Sequence, residues 1–291
     1  MNRANRILQT EKAWRNGFYG KNVVIAFLDT GISGHMDYAD RVLCFRDFIQ
    51  KRRGMYDDYG HGTHVTGIAA GNGTGQRQYR GVAPKAGIVH LKVLDQSGNG
   101  KREDVVQGIS WVIENRKKYG IRILNISVGT VKEGDRRDEM LIRAVESAWD
   151  AGIVVVAAAG NMGPSPGSIT APGNSRKIIT VGSSDEMDTQ NSGRGPTKNC
   201  ICKPDIVAPG SGIVSCSHSY RYSGRMYCSK SGTSMATPMV SGAIALLLEK
   251  EPWLTCVEVK MRLYESAVDL GMEHGRQGWG RLHIPRLLGL P

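Results

Sequence analysis

The chain carries a serine, a histidine and an aspartate in settings that could together activate a hydroxyl nucleophile. Ser234 lies in the stretch 231–238, where small residues and a proline indicate the start of a helix. A serine hydroxyl is a weak nucleophile unless a base, an orienting acid and an anion site assist it. Asp29, His61 and Asn161 are candidates for these roles. The chemistry that they predict is acyl transfer, in which the serine attacks a carbonyl carbon.

These residue types also have ordinary structural explanations. Serine is a favoured helix N-cap, and aspartate or asparagine at a strand end is commonly a turn residue. The neighbours favour chemistry, because Gly232 permits close approach of a substrate backbone and the helix start at Ser234 favours negative charge. We expect Asp29 to orient the imidazole of His61 and to stabilise its charged form. The amide of Asn161 and the backbone N–H of Ser234 would form the oxyanion hole.

Two histidines three residues apart, His61 and His64, raise the alternative of a metal site. Zinc peptidases use a His-Glu-x-x-His pattern, whose longer spacing and internal glutamate are both missing here. Flanking glycines at a helix start leave His61 accessible to a substrate, whereas His64 lies one turn deeper. The sequence predicts that His61 is the general base and that His64 is packed, with a structural hydrogen bond.

Apolar runs that alternate with helical patterns must position these residues. Near-continuous apolar runs predict buried parallel strands at 22–28, 87–94, 122–128, 152–158, 177–182 and 205–208. Helical spacing predicts helices at 103–119, 138–151 and 234–250. This alternation predicts a doubly wound, mostly parallel α/β sheet with helices on both faces, a three-layer α/β/α fold with right-handed crossovers. Asp29, Ser127 and Asn161 each end a predicted strand, where sites in such sheets form.

Composition and charge restrict the class of protein. The chain has 291 residues, 40% of them hydrophobic, and no break that would divide it, so we expect one domain over 1–291 with an N-terminal extension at 1–20. No apolar run is long enough to cross a membrane. The net charge of +11 comes from scattered basic clusters without interleaved aromatics, so we expect no nucleic-acid partner.

The cysteines and the N-terminal residues bear on the compartment. Six cysteines permit three disulfides, but in a chain that can build its own core we favour free thiols. The first residues carry positive charge without the apolar segment of a secretory signal. We therefore expect a cytoplasmic protein; the alternative is a secreted protein of which this is the mature fragment.

The triad order Asp29, His61, Ser234, with the segments around these residues, resembles the subtilisin-like serine peptidases, the subtilases. The resemblance runs from about residue 22 to residue 253 and more loosely to the end. Within the family, the chain resembles the intracellular bacterial alkaline serine proteases of the AprX type. The segments that carry this finer resemblance are 79–84, 92–95, 193–197 and 203–210.

The resemblance implies Asp29, His61 and Ser234 as the triad and Asn161 as the oxyanion donor. It also implies two extended edges, between which a substrate backbone would lie as an added strand, with broad specificity. The substrate-binding residues that it implies are Ser97, Gly98, Asn99, Gly100, Ser127, Val128, Gly129, Ala159 and Gly160.

The resemblance bears on cofactors and partners as well. It requires no cofactor, but calcium sites are common in the family, and one near Asp37 and Asn72 would be structural. The loop 71–75 has no carboxylate for such a site. Subtilases are usually made with an inhibitory propeptide, and few residues precede the first predicted strand here, so a propeptide would be absent, separate or already removed.

The sequence thus predicts a serine endopeptidase that acts on polypeptide substrates through an acyl-enzyme. The alternative is a catalytically silent subtilase-like protein that binds peptides or regulates a partner. Because all four catalytic positions are filled, the active enzyme is the favoured interpretation.

Overall fold

Seven parallel strands form one sheet, in the order β2-β3-β1-β4-β5-β6-β7. The computed structural model describes residues 1–129, 136–185 and 191–291. The strands are β1 Val24–Asp29, β2 Val42–Asp47, β3 Gly87–Lys92, β4 Ile121–Ile126, β5 Val154–Ala158, β6 Ile179–Ser183 and β7 Ile206–Ala208. A separate antiparallel pair consists of β8 Ile213–Cys216 and β9 Tyr227–Lys230.

The predicted strands are all present, with ends displaced by a few residues. They were recognisable because strands such as β1 and β5 are buried along their whole length and need apolar residues on both faces. Strand β2 was missed. It is an edge strand with half-exposed positions and includes Arg46 and Asp47, so it lacks the continuous apolar run.

The helices pack against the sheet and against each other. They are α1 Asn2–Leu8, α2 Thr10–Arg15, α3 His61–Ala70, α4 Arg102–Tyr119, α5 Arg136–Asp150, α6 Tyr220–Ser223, α7 Thr233–Lys250, α8 Cys256–Ser266, α9 His274–Gln277 and α10 Ile284–Leu287. Short 3₁₀ turns cover Ala39–Arg41 and Arg77–Tyr79. Helix α3 packs on α7, and α4 packs on α5. Helix α7 is buried over most of its length, as predicted.

The prediction of right-handed crossovers is wrong for one connection. A Cβ atom added at Gly62 of α3 would lie 3.1 Å from the Cβ of Asp29, and one added at Gly108 of α4 would lie 3.4 Å from Leu28. Neighbouring residues of a strand face opposite sides, so α3 and α4 cover opposite faces of the sheet. The units β2-α3-β3 and β3-α4-β4 advance in the same direction across the sheet and must differ in hand. Helix α5 packs beside α4, so β4-α5-β5 has the same hand as β3-α4-β4. Since right-handed units are the rule, the left-handed exception is β2-α3-β3, the unit that carries His61.

The N-terminal extension is helical and contributes to the core. Helices α1 and α2 bury Ala4, Leu8 and Ala13. The guanidinium of Arg3 donates to both oxygens of Asp185, each at 2.9 Å, which ties the extension to the segment that follows β6. These short segments have too few apolar positions to be recognised from periodicity alone.

The chain has no disulfide among its described residues. All six cysteines are free thiols. Cys216 and Cys228 lie on the paired strands β8 and β9, but Cys216 is opposite Tyr227, so the two thiols point to different faces. Among the helices of the described ranges, none combines the length and the apolar character that a membrane crossing requires.

Candidate active site

Asp29 and His61 form a hydrogen-bonded pair at the carboxyl edge of the sheet. Asp29 is the last residue of β1 and is fully buried, and His61 is the first residue of α3. The Nδ1–H of His61 donates to Asp29 Oδ1 at 2.7 Å, and the backbone N–H of Thr30 donates to the same oxygen at 2.8 Å. This bond leaves Nε2 of His61 as the basic nitrogen, and the ring is 17% exposed, so a substrate can reach it.

A buried carboxylate, Asp57, holds the start of α3 in place. Its Oδ1 accepts from the N–H of Gly60 at 2.7 Å and from Thr30 Oγ1 at 2.8 Å, and its Oδ2 accepts from the N–H of Thr63 at 2.9 Å. Negative charge at a helix N-terminus is stabilising, and here the same bonds link α3 to the turn after β1. Asp57 therefore fixes the position of His61 relative to Asp29. The sequence contained this aspartate beside the histidine motif, but nothing in its type indicated the role.

The electrostatics of the pair favour a charged imidazole. Burial lowers the pKa of His61, but the facing Asp29 carboxylate outweighs this, and the pKa lies above its usual value. The pKa of Asp29 lies below its usual value: burial raises it, and His61 lowers it by more. The arrangement stabilises an imidazolium beside an ionised carboxylate. The imidazolium is the form that His61 takes when it accepts a proton as a base.

Ser234 is the second residue of α7, as the sequence predicted for a nucleophile at a helix start. The preceding Gly232 has a φ of 129°, a conformation that favours glycine. In this structure, Ser234 Oγ donates its proton to the backbone carbonyl of Ser127 at 2.7 Å. The hydroxyl proton must therefore leave the Ser127 carbonyl before it can pass to His61. The backbone N–H of Ser234 belongs to the first turn of the helix, where N–H groups have no intrahelical acceptor.

Asn161 is oriented as an oxyanion donor must be. Its Oδ1 accepts from both the N–H and the Oγ1–H of Thr233, each at 3.1 Å. Because these donors fix the oxygen, the Nδ2 amide is directed away from them, and it would lie 3.2 Å from a Cβ added at Gly232. Sequence reasoning assigned no role to Thr233, because its contact with Asn161 joins distant parts of the chain.

His64 is packed, as predicted. It is fully buried, and its Nε2–H faces the carbonyl oxygens of Ile213 at 3.0 Å and Cys228 at 3.1 Å. Burial lowers the pKa of His64 to about 3, so the ring is neutral. Its donor joins α3 to the β8–β9 pair. The metal alternative for His61 and His64 therefore has no support, because one ring bonds Asp29 and the other bonds backbone.

The first predicted substrate edge is shorter than expected. The N–H groups of Ser97 and Asn99 donate to Asp95 Oδ1 at 2.8 and 3.0 Å, and the N–H of Gly98 donates to the Asp95 carbonyl at 3.1 Å. The Asp95 side chain thus closes a tight turn. The prediction of an extended edge is wrong for Ser97 and Gly98, and the chain leaves the turn at Asn99 and Gly100.

The second predicted edge is open. Within the described residues, the backbone groups of Val128 and Gly129 make no hydrogen bond, so they can pair with an added chain. Ala159 differs, because its N–H donates to Val181 at 2.9 Å and its carbonyl accepts from Thr170 at 3.1 Å. The carbonyl of Gly160 likewise accepts from Gly193 at 2.8 Å. Ala159 and Gly160 can line the site, but these backbone groups are already hydrogen-bonded and cannot pair with a substrate backbone.

A threonine closes the slot between these two segments. A Cβ atom added at either Gly129 or Gly160 would collide with Oγ1 of Thr170, so the Thr170 side chain lies against both backbones. Thr170 is 3% exposed, and Oγ1 has no hydrogen-bond partner among the described residues. The walls of this slot lead directly to Ser127, which bonds Ser234, and to Asn161. No motif in the sequence marked Thr170.

A cavity of about 500 Å³, lined by both apolar and polar residues, lies between the two predicted edges. Gly100 and Gly129 border it on either side. Arg102, which lines the cavity, pairs with Asp138, with Nε and Oδ1 2.9 Å apart. The apolar lining is provided by Leu94, Val105, Ile126, Val128, Leu141 and Pro172. The cavity fits a large apolar side chain of a peptide that lies between the edges.

The region suggested for calcium has its donor atoms occupied by protein groups. Asp37 is fully buried, and its Oδ1 accepts from the N–H of Gly75 at 3.1 Å while its Oδ2 accepts from the Tyr227 hydroxyl at 2.9 Å. Asn72 Oδ1 accepts from Thr74, at 2.8 Å from the backbone N–H and 2.6 Å from the hydroxyl.

A protein cation also lies against this loop. Nε of Arg80 donates to the carbonyl of Asn72 at 3.0 Å. Calcium needs six to eight oxygen ligands, and the atoms that could provide them here already accept hydrogen bonds. The residues near Asp37 and Asn72 therefore do not fit a calcium ion without the loss of these bonds.

His35, Asp37 and Cys216 bring a nitrogen, an oxygen and a sulfur within 4.8 Å of one another. His35 Nδ1 accepts from the Asp37 N–H at 3.2 Å, and the Cys216 thiol faces Asp37 Oδ2 at 3.7 Å. Burial and the nearby carboxylate raise the pKa of the Cys216 thiol, which disfavours the thiolate that a metal requires. We interpret these residues as a hydrogen-bonded cluster.

Comparison with known proteins identifies similar chains. The family model described as the subtilase family matches residues 20–280. Serine protease AprX of Bacillus subtilis is 41% identical over an alignment of 272 residues, and the match covers 84% of this chain and 62% of AprX. The chain therefore spans about three fifths of the length of that relative.

Other relatives are matched over nearly their whole length. Subtilisin DY of Bacillus licheniformis is 36% identical over 270 residues, which cover 91% of this chain and 90% of that protein. Among solved structures, a cold adapted subtilisin-like serine proteinase has a TM-score of 0.76 at 30% identity, covering 92% of this chain and 90% of the other.

Proposed function

The chain belongs to the subtilase family of serine endopeptidases, and on this premise we propose that it hydrolyses peptide bonds through an acyl-enzyme on Ser234. The observation that carries the proposal is the 2.7 Å bond between His61 Nδ1 and Asp29 Oδ1 at the sheet edge where Ser234 and Asn161 also lie. Residues 1–291 act as one catalytic domain in this proposal. The substrates are polypeptides.

The reaction follows from the positions of these groups. Ser234 Oγ leaves the Ser127 carbonyl, gives its proton to His61 Nε2 and attacks the carbonyl carbon of the peptide. The developing oxyanion accepts from Asn161 Nδ2 and from the Ser234 N–H, while Asp29 stabilises the imidazolium. His61 then gives the proton to the leaving amine, and water, activated by the same imidazole, releases the acyl group.

The slot beside Ser234 favours small side chains on the residue whose carbonyl is attacked. That side chain must enter between Gly129 and Gly160, where Thr170 occupies the end of the slot. The cavity between the two edges would take a larger apolar side chain elsewhere in the peptide. Main-chain pairing with Gly100, Val128 and Gly129 depends little on the other side chains, so specificity remains broad outside these two positions.

Labelling with a fluorophosphonate probe tests the activity. The purified protein and its Ser234→Ala variant are treated side by side, and the modified peptide is mapped by mass spectrometry. Label on Ser234 of the wild type alone, with cleavage of a protein substrate, supports the proposal. A folded wild type that takes no label supports the alternative, a catalytically silent peptide-binding or regulatory protein.

The six free thiols favour a reducing compartment, and we place the protein in the cytoplasm on that ground. A thiol titration of the unfolded protein, isolated from its native host without reductant, distinguishes the alternatives. All six cysteines should react; a disulfide would favour the secreted alternative.

A further inference from the structure

A second buried histidine, His90, lies behind the Asp29–His61 pair. In the parallel pairing of β1 with β3, His90 is opposite Phe27, and the two rings stack with centroids 5.9 Å apart and planes 12° apart. Asp29 is two residues beyond Phe27, so its side chain points to the same face of the sheet. His90 is fully buried. The mechanism described above makes no use of it.

The first turn of α3 covers both side chains. A Cβ atom added at Gly62, the residue after His61, would lie 2.9 Å from His90 Nε2 and 3.1 Å from the Cβ of Asp29. Gly62 thus leaves room for the two side chains to share one small space under the helix. Nε2 is the ring nitrogen nearest this space.

Three polar atoms at this place have no hydrogen-bond partner among the described residues: Asp29 Oδ2, His90 Nδ1 and His90 Nε2. An unpaired polar atom in a protein interior is costly, and more so when it is charged. The chemistry of the two groups is complementary, because an ionised carboxylate only accepts and a neutral imidazole has one N–H to donate.

We propose that His90 is a positioning residue for the catalytic pair, in which its Nε2–H is the hydrogen-bond donor for Asp29 Oδ2 through one bridging water. This inference rests on the proposed function of Asp29 and His61. The role acts through Asp29, since His90 is shielded from substrate by Gly62 and the first turn of α3.

The protonation states agree with this role. Burial lowers the pKa of His90 to about 4, even though the Asp29 and Asp57 carboxylates act to raise it, and Lys92 lowers it further. The imidazole is therefore neutral at neutral pH. With Oδ2 held by His90, the carboxylate cannot rotate, and Oδ1 stays directed at His61 Nδ1. The N–H dipole also draws charge from the carboxylate and so moderates the basicity of His61.

Nuclear magnetic resonance of the full chain tests the hydrogen bond directly. In Ser234→Ala protein with ¹⁵N-labelled histidine, we expect His90 to be the neutral tautomer with its proton on Nε2, and this N–H to exchange slowly with solvent. A proton on Nδ1, or a charged His90 ring at neutral pH, would overturn the proposal. The measurement needs no activity and no change at His90.

Substitution tests the functional consequence. In His90→Phe, loss of the donor dipole should move the acid limb of the pH profile of kcat/KM upward by about half to one pH unit and lower kcat/KM about tenfold. His90→Gln keeps a donor and should hold the acid limb near its wild-type position. Phe27→Leu is the matched control, because it disturbs the same stack without removing a donor.

The outcomes separate this inference from the proposed function. If His90→Phe loses only stability, as Phe27→Leu does, and its acid limb does not move, His90 is merely a packed residue. The wild type would still cleave peptides in that case. If the wild type is instead inactive, the slowly exchanging N–H still reports whether His90 bonds Asp29. Should His90→Phe fail to fold, the Gln variant and the resonance measurement decide.

Discussion

Replacement of Thr170 by glycine should change the preferred side chain at the cleaved residue from small to large and apolar. In the structure, Thr170 lies against the backbones of both Gly129 and Gly160, so its side chain occupies the end of the slot beside Ser234. Its Oγ1 makes no hydrogen bond with another described residue, and its N–H, which bonds the Ala159 carbonyl, survives the change. The substitution therefore opens the slot without breaking a side-chain hydrogen bond.

The magnitude follows from the area that the opened slot can bury. A phenylalanine side chain gains about 1.5–3 kcal/mol when it is fully buried, whereas alanine gains little from extra depth. If that burial is realised in the transition state, the ratio of kcat/KM for phenylalanine over alanine should rise about 10- to 150-fold. The added glycine costs about 0.5–1 kcal/mol of stability through backbone freedom in the unfolded chain.

The assay compares two peptides that differ only at the cleaved residue, alanine in one and phenylalanine in the other. Thr170→Val is the matched control, because it keeps the bulk of the side chain and replaces the hydroxyl by a methyl group. The ratio should rise in the glycine variant and stay near the wild-type value in the valine variant. An unchanged ratio in Thr170→Gly, in a protein that still cleaves the alanine peptide, would refute the closure of the slot by Thr170.

Three other predictions concern the catalytic groups and calcium. Asn161→Leu should lower kcat about 10²–10³-fold with little change in KM, and steady-state kinetics that show a KM effect alone would argue against an oxyanion role; this range was measured on subtilisin, a relative, and is transferred from it. Because Asp29 outweighs burial and raises the pKa of His61, the acid limb of kcat/KM should lie above pH 6.5, and Asp29→Asn should move it to lower pH, as a pH profile will show. Excess calcium should leave the Tm of the Ser234→Ala protein equal to that in a chelator, since a bound ion at a hundred times its Kd would add about 2.7 kcal/mol; a lower Tm in the chelator would indicate an ion near Asp37.

The candidate catalytic residues stood out in the sequence because each lies in a distinctive local segment. Asp29 ends a continuous apolar strand, His61 is flanked by glycines, and Ser234 begins a helix that is apolar nearly all round. Strands that are buried on both faces were predicted for the same reason. Strand β2 was missed because only one of its six positions is buried.

Other parts of the site are defined by contacts between distant segments. Thr170 closes the slot only because the turns after β4 and β5 approach it from two sides. Thr233 fixes the Asn161 amide across a large separation in sequence, and His90 lies under Asp29 only through the pairing of β1 with β3. The turn at Ser97 shows the opposite error, because the nearby Asp95 competes for backbone N–H groups that were expected to bind substrate. The sequence contains these residues, but it does not reveal which of them are in contact in the folded chain.

The position of the nucleophile on α7 has a consequence for the newly made chain. Asp29 and His61 leave the ribosome early, while Ser234 follows after a delay of roughly 10–40 s at usual elongation rates of about 5–20 residues per second. Helix α7 must then dock against α3 and strands β4 to β7 before the hydroxyl and the imidazole can meet. Under the proposed function, the nascent chain has no hydrolytic activity while its own unfolded segments are most open to cleavage. Activity would begin only when nearly all strands of the sheet are already protected within the fold.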